Sequence, residues 1–433
     1  MKRKGLMTIV LAACVAITSV FSGCSSKTAD TSTKDNGKIT IKFLHRWPME
    51  PNKSFLDKVV ADYEKANPNI KIDMQSVAND SYKEKIKVIL GTADAPDVFF
   101  SWSGEFMYRF VRENKIYDLT SALNQDGWKD TLMESQLKPF TLNDKTYGIP
   151  YSVDGKVFFY NTKIFKDNGL EVPTTFDEFL KVCATLKSKG ITPIAFGNQS
   201  PWACIHYIGT LNQKVVAEDV RAKDYAAATG EFTDPGYVEA LKKYQQLIPY
   251  FNANSNAIKH DQARISFVNG KCAMMYCETQ EVGEVEKLQA SDFQWSMFKF
   301  PDVTDGKGDQ TKLTGAPEGF VISANTKHPK EAIAFLKYLT GKEVGLEEVK
   351  DTGILNGMKD IYNTSNADSK VIEAAKIINT SKDIVQWLDT DLNAQVANEY
   401  LSDTQLLTGG NITPEAMMQK IQKVAKQVKS GTN

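Results

Sequence analysis

The sequence predicts an α/β fold with more than one lobe, on three observations. Strand-like and helix-like segments alternate from Lys38 onward. The chain has 433 residues, and a single hydrophobic core stops growing at roughly 250–300 residues. Beyond the leader, no apolar run is long enough to span a bilayer.

The first element, Lys38 to Leu44, is β-branched and alternating, which predicts a strand. From Ser54 to Ala66, Phe55, Leu56, Val59, Val60 and Tyr63 share one helical face, and Asn67-Pro68 ends the helix. Ile70 to Met74 reads as a second strand, Tyr82 to Leu90 as a helix closed by Gly91, and Asp97 to Phe100 as a buried strand. Strand, helix, strand, helix, strand implies right-handed crossovers. Further on, Thr175-Phe176-Asp177-Glu178 is a capping box, and Asp234-Pro235 places a cap before a proline at the first helical position. Pro329 and Pro414 open two later helices with apolar faces, and Lys271 to Cys277 reads as a strand.

The N-terminus sets the compartment. Lys2, Arg3 and Lys4 precede a mostly apolar run, Leu6 to Phe21, too short to cross a membrane. The run ends Val20-Phe21-Ser22-Gly23-Cys24, which resembles the lipobox of bacterial lipoproteins, with Phe21 at the position where leucine is commoner. The resemblance implies cleavage before Cys24 and a diacylglyceryl group on its sulfur; plain secretory cleavage is the alternative. Residues 1–23 are then a signal peptide. Residues 24–37, polar and small, form a flexible leash that cannot bury enough surface to fold. On the lipobox resemblance, the mature chain is expected to be tethered to the outer face of the cell membrane by lipid alone.

The formal net charge of −1 shows no basic excess, which excludes a nucleic-acid partner. Cys183, Cys204, Cys272 and Cys277 match no zinc spacing. Five residues apart on one strand, Cys272 and Cys277 face opposite sides, so buried free thiols are expected. The chain lacks G-x-S-x-G, H-E-x-x-H, a Walker loop and the calcium-loop spacing, so no catalytic residue, metal or cofactor is predicted.

Several segments together resemble the extracellular solute-binding proteins of carbohydrate ABC importers, of the maltose-binding type. They are Thr40 to Trp47, Tyr63 to Pro68, Gly91 to Val98, Leu142 to Pro150, Phe159 to Phe165, Pro173 to Phe179, Gly190 to Ile194 and Gly315 to Phe320. The resemblance implies a two-lobed periplasmic-binding-protein fold of class II, with hinge strands and a ligand cleft between the lobes. By that analogy, residues 38–150 and 319–357 form the N-lobe and residues 151–318 and 358–433 the C-lobe. The chain would cross near Pro150 to Asp154, Pro317 to Val321 and Asn356 to Ile361. It also implies a carbohydrate ligand, ABC permease transmembrane subunits as partners, and a monomer.

A sugar offers hydroxyls and a C–H face, so its cleft needs aromatic platforms ringed by carboxylates, amides and arginine. Ligands of open α/β sheets sit where strands end. Arg46 and Trp47 follow the first strand, Trp102 the third, and Glu278 the Ala273 to Tyr276 strand. Asp154 and Glu318 lie at the first two crossings, Trp202 follows Pro193 to Phe196, and Asn79 precedes a helix. Trp387 and Asp389 fall where the family often adds a cleft residue. Each has a plainer reading. The tryptophans could fill the core, Arg46 could form a surface salt bridge, Asn79 could cap its helix, and Glu318 could bond hinge backbone. Asp154 and Glu278 could be caps or solvated charges. Trp128 and Trp295 match no cleft segment and read as packing. Many family members carry a tryptophan after the strand that here ends Tyr276-Cys277-Glu278, and this departure bears on which sugar is preferred. The competing classes are an extracellular carbohydrate-active enzyme, whose catalysis needs a carboxylate pair, and a surface adhesin or sensor.

Overall fold

The structure is a computed structural model and describes residues 38–359, 361 and 367–431. Cys24, the leader and the leash lie outside the described residues. Among the described residues, eleven strands carry the fold. They are β1 (Ile39–His45), β2 (Ile70–Ser76), β3 (Val98–Trp102), β4 (Thr141–Leu142), β5 (Lys145–Thr146) and β6 (Gly148–Asn161), followed by β7 (Thr192–Ala195), β8 (Cys272–Glu278), β9 (Trp295–Lys299), β10 (Leu313–Ile322) and β11 (Ile384–Val385). β4 and β5 form a separate hairpin; the rest join in the order β2-β1-β3-β10-β6-β8-β7, with β11 on β10 and β9 on β6.

The two lobes follow from how two long strands divide their pairing. β1 runs parallel to β2 and β3, and β3 is antiparallel to the C-terminal half of β10. The first half of β6 pairs with β10, and its second half, from Lys156, pairs with β8 and β9. β6 and β10 therefore run from one lobe into the other, and their register shifts between Glu318 and Gly319. Gly319 fits that crossing because a Cβ there would stand 2.1 Å from the Ile149 carbonyl oxygen. A third strand of chain joins them: Val153 N donates to Leu355 O at 2.6 Å, and Met133 N donates to Gly357 O at 2.9 Å.

Separate apolar cores sit on either side. One gathers Phe43, Val98, Phe100, Phe320 and Phe335 around the parallel strands. A second gathers Phe158, Phe179, Tyr207, Tyr244 and Tyr276, and a third Phe159, Phe267, Cys277 and Trp295. Trp128 and Trp295 are buried within these cores. All four described cysteines are free and buried; burial pushes Cys204 up to about 12 and Cys272 up to about 11, which leaves inert thiols.

Several elements depart from the predicted bounds, and the departures place the site. The third strand continues to Trp102 because Trp102 pairs with Glu318. Glu278 is likewise the last residue of β8, opposite Lys156. The second helix starts at Asn79 rather than Tyr82, which brings a polar turn to the strand ends. Pro235 stands just before the helix Gly236–Leu247, whose first N–H donates to Asp234 Oδ1 at 2.7 Å.

Candidate functional site

A pocket of about 290 Å³ opens where β1, β3, β8 and β10 meet the helices Asn79–Ile89 and Pro201–Val215. Eight predicted residues line it: Arg46, Asn79, Trp102, Trp202, Glu278, Glu318, Trp387 and Asp389. Strand-end geometry explains the convergence. Side chains alternate along β1, so Arg46 turns to the opposite side from His45 and Trp47. The face of the helix Asn79–Ile89 that carries Asn79, Asp80, Lys83 and Glu84 is one turn deep and borders the pocket.

Arg46 is the most connected group. Its Nη1 donates to Asn79 Oδ1 at 2.9 Å, and its Nη2 donates to Gln280 Oε1 at 2.8 Å and to Glu318 Oε2. Asn79 therefore anchors Arg46 instead of capping its helix, which begins after Ala78 with no side-chain cap. Burial raises the Glu318 carboxyl, and the Arg46 guanidinium opposes that shift. Arg46 also lies 4.9 Å from the Trp47 ring and 4.7 Å from the Phe100 ring.

Trp47 and Asp154 are not among the pocket-lining residues. Trp47 is buried beneath Arg46, edge-on to Phe100 at 5.1 Å and tilted on Tyr151 at 5.4 Å. Asp154 is fully buried one layer below the pocket. It accepts from Thr279 Oγ1 at 2.8 Å and from Gln280 Nε2 at 2.7 Å, so it orients the amide that holds Arg46. Burial pushes its carboxyl well up, aided by the nearby Glu278 and Glu318.

The facing wall is aromatic. Trp202 is half-buried, lies 4.5 Å from the His260 ring and donates its Nε1 to Asp80 Oδ1 at 2.9 Å. Trp387 stacks on His206 at 4.3 Å with an interplanar angle of 15°. Trp102 carries the Lys83 ammonium 4.6 Å from its ring. Lys83 in turn donates to Asp389 Oδ2. Glu278 accepts from Gln280 Nε2 at 2.7 Å, with Lys156 Nζ at 3.7 Å and His206 Nδ1 at 3.4 Å. Burial, with Lys156 and Lys83 adding to it, holds His206 well below its ordinary value, so its imidazole is neutral at pH 7.

Sequence reasoning missed Asp80, Lys83, Glu84, Gln199, Pro201, His206 and Leu401. The charges on the helix Asn79–Ile89 read as a solvated face, and His206 carried a signal only as the residue one turn after Trp202. Some atoms of the lining make no hydrogen bond though buried: Arg46 Nε, His206 Nδ1 and Asp389 Oδ1. Trp102 and Trp387 are buried in the core, as the plainer reading of the tryptophans has it, and the partly exposed Trp202 indole beside unfilled donors and acceptors suits a polyhydroxylated ring.

A larger cavity of about 560 Å³ is lined by Tyr108, Gln136, Val153, Pro317, Ile378 and Gln386. It contains no tryptophan and none of the predicted residues. His260, Cys277 and Glu281 lie within 4.8 Å of one another. The Glu281 oxygens are engaged by His260, Arg264 and the Glu278 backbone N–H, which makes this a structural cluster beneath β8.

The family of bacterial extracellular solute-binding proteins matches residues 47–345. A multiple sugar-binding protein of Streptococcus mutans is 26% identical over 406 residues, covering 91% of either chain. A solved structure from work on xylan utilization by the thermophilic bacterium Caldanaerobius polysaccharolyticus has a TM-score of 0.82 at 29% identity, covering 91% of this chain and 100% of that one. A chitin oligosaccharide binding protein has a TM-score of 0.84 at 24% identity over 91% of this chain and shares the fold.

Proposed function

Because this chain belongs to the bacterial extracellular solute-binding proteins, we propose that it is the substrate receptor of an ABC sugar importer. It binds a mono- or oligosaccharide between its lobes and delivers it unchanged to the permease transmembrane subunits. The observation that carries this reading is the pocket in which Trp102, Trp202 and Trp387 stand among Arg46, Glu278, Glu318 and Asp389. The partly exposed Trp202 indole takes the C–H side of a sugar ring while carboxylates and the guanidinium take its hydroxyls. A volume of about 290 Å³ sits at the small end of ligand pockets, which favours a short saccharide.

The ligand contacts residues of both lobes, so it stabilises the closed form by its differential affinity. No helix among the described residues is long and apolar enough to cross a membrane. Attachment rests instead on the Val20 to Cys24 motif, with lipid on Cys24 and residues 24–37 as the leash. The receptor works as a monomer on the outer face of the membrane.

The test is a melting-temperature screen of the chain from residue 27 onward against mono- and oligosaccharides, with polyols and amino acids as controls. A sugar present at about a hundred times its Kd adds about 2.7 kcal/mol. A shift from one sugar class, with the sugar recovered intact, supports the receptor. Recovery of cleaved sugar would replace it with a hydrolase, and no shift across the panel would remove carbohydrate as the ligand.

A further inference from the structure

Taking the carbohydrate reading as its premise, we propose that this pocket selects by charge: it accepts neutral and amine-bearing saccharides and rejects sugars that carry a carboxylate. The lining holds five carboxylates, on Asp80, Glu84, Glu278, Glu318 and Asp389, against two lining cations, Arg46 and Lys83; from outside the lining Lys87 holds Glu84 and Lys156 lies 3.7 Å from Glu278, which still leaves one carboxylate in excess. Both lining cations are already engaged. Arg46 bridges Asn79, Gln280 and Glu318, and Lys83 holds Asp389. An anionic ligand would need one of them, and taking it would strand Glu318 or Asp389, each at least nine-tenths buried, without its partner. His206, kept neutral by its burial, offers no positive charge. Lys156 lies outside the lining, fully buried, with its ammonium 3.7 Å from Glu278 and 5.1 Å from the Trp202 ring centroid.

A second observation is independent of this charge count. The buried atoms on the lining that make no hydrogen bond are Asp389 Oδ1, Arg46 Nε and His206 Nδ1, the last of which lies 3.4 Å from Glu278 Oε1. Asp389 Oδ1 accepts, Arg46 Nε offers one N–H, and a neutral imidazole nitrogen does either according to its tautomer. That set matches hydroxyls, which both give and receive, and it matches an ammonium at Asp389. A carboxylate only accepts and finds a single fixed donor. Rejection by unanswered like charge costs several kcal/mol at close range, and each 1.4 kcal/mol is tenfold. The discrimination is therefore at least about tenfold.

The experiment is calorimetric titration of the chain from residue 27 onward with matched sets: each neutral sugar that binds, its carboxylate-bearing counterpart and its amino counterpart. The expected result is that the carboxylate form binds at least about tenfold more weakly, while the amino form binds as well as the neutral one or better. Asp389→Asn, which releases Lys83, should shrink the penalty on the carboxylate form. Glu84→Gln, at a pocket-lining glutamate whose ammonium partner is Lys87, should shrink it without touching either cation's bond. The melting temperature of each variant reports whether it is folded, and the penalty is read as the ratio of carboxylate-form to neutral-sugar affinity within the same variant. A carboxylate-bearing sugar that binds within tenfold of its neutral parent, or a penalty unchanged in Glu84→Gln, overturns the inference and leaves the sugar receptor standing. A panel in which no sugar binds overturns the carbohydrate reading and this inference with it.

Discussion

The Trp202 indole N–H and the Asp80 carboxylate are joined at 2.9 Å across the pocket, from the first turn of one helix to the first turn of another. Ser200 Oγ reaches the same carboxylate at 3.1 Å. Trp202 packs on the core that holds Phe158, whereas Asp80 stands on the helix whose Tyr82 belongs to the core around Phe100. The bond thus ties an aromatic platform to the opposite lobe and sets the platform's angle.

Asp80→Ala should weaken sugar binding about fivefold, since one partly exposed hydrogen bond contributes about 1 kcal/mol. Trp202→Phe should cost a similar amount, and the double variant little more than either alone, because both remove the same bond. Calorimetry on the three variants measures the coupling. Additive losses would mean that Asp80 and Trp202 act separately.

Trp47→Ala should behave differently from Trp202→Ala. Trp47 is buried among Phe100, Tyr151 and Phe320, so its removal leaves a cavity and should lower stability by roughly 3–5 kcal/mol. Affinity of the folded protein should fall far less. Trp202→Ala should do the reverse, with a small change in denaturation midpoint and a large loss of affinity. Urea unfolding and calorimetry on the two variants separate these outcomes.

Replacing Arg46 by methionine strands Glu318, Gln280 and Asn79 together. The expected loss of stability is about 3–5 kcal/mol, most of it from the uncompensated carboxylate. Arg46→Met combined with Glu318→Gln should recover a large part of that loss, because a neutral amide is cheaper to leave buried. Sugar affinity should stay low in both, since the guanidinium itself faces the pocket. Denaturant melts of the single and double variants decide it.

These residues show what the sequence makes legible. β1 and the capping box of Thr175 and Glu178 follow from local periodicity and cap chemistry, and both are present. Arg46 and Trp47 are adjacent at a strand end, and local pattern could not say which faces the cleft. That choice depends on where β1 stops relative to β3 and β10, a property of sheet register. Asp154 reads as a cleft carboxylate because it sits at a crossing. The pairing of Ala316 with Asp154 buries it under Gln280 instead. Lys83 was hidden for another reason: a charged residue on an amphipathic helix reads as solvated until its partner, here Asp389, arrives from more than three hundred residues later.

The neutral state of His45 gives a prediction about acid. Burial holds this imidazole down at about 4 against an ordinary 6.5, and its Nδ1 accepts from the Trp47 backbone N–H at 3.3 Å, which a protonated ring could not do. The unfolded chain takes up the proton near pH 6.5, whereas the folded chain resists it until about 4. The folded-state value is depressed, so its contribution is fully present above pH 6.5 and is lost as pH falls toward 4. A tenfold change in proton affinity is worth about 1.4 kcal/mol, which puts the loss from this one site at roughly 3 kcal/mol across the window. His45→Gln, which cannot titrate, should be less stable than the parent at pH 7.5 yet lose less stability between pH 6.5 and 4.5. Urea midpoints measured at half-unit pH steps provide the check, and parallel curves for parent and variant would mean that His45 does not titrate in this window.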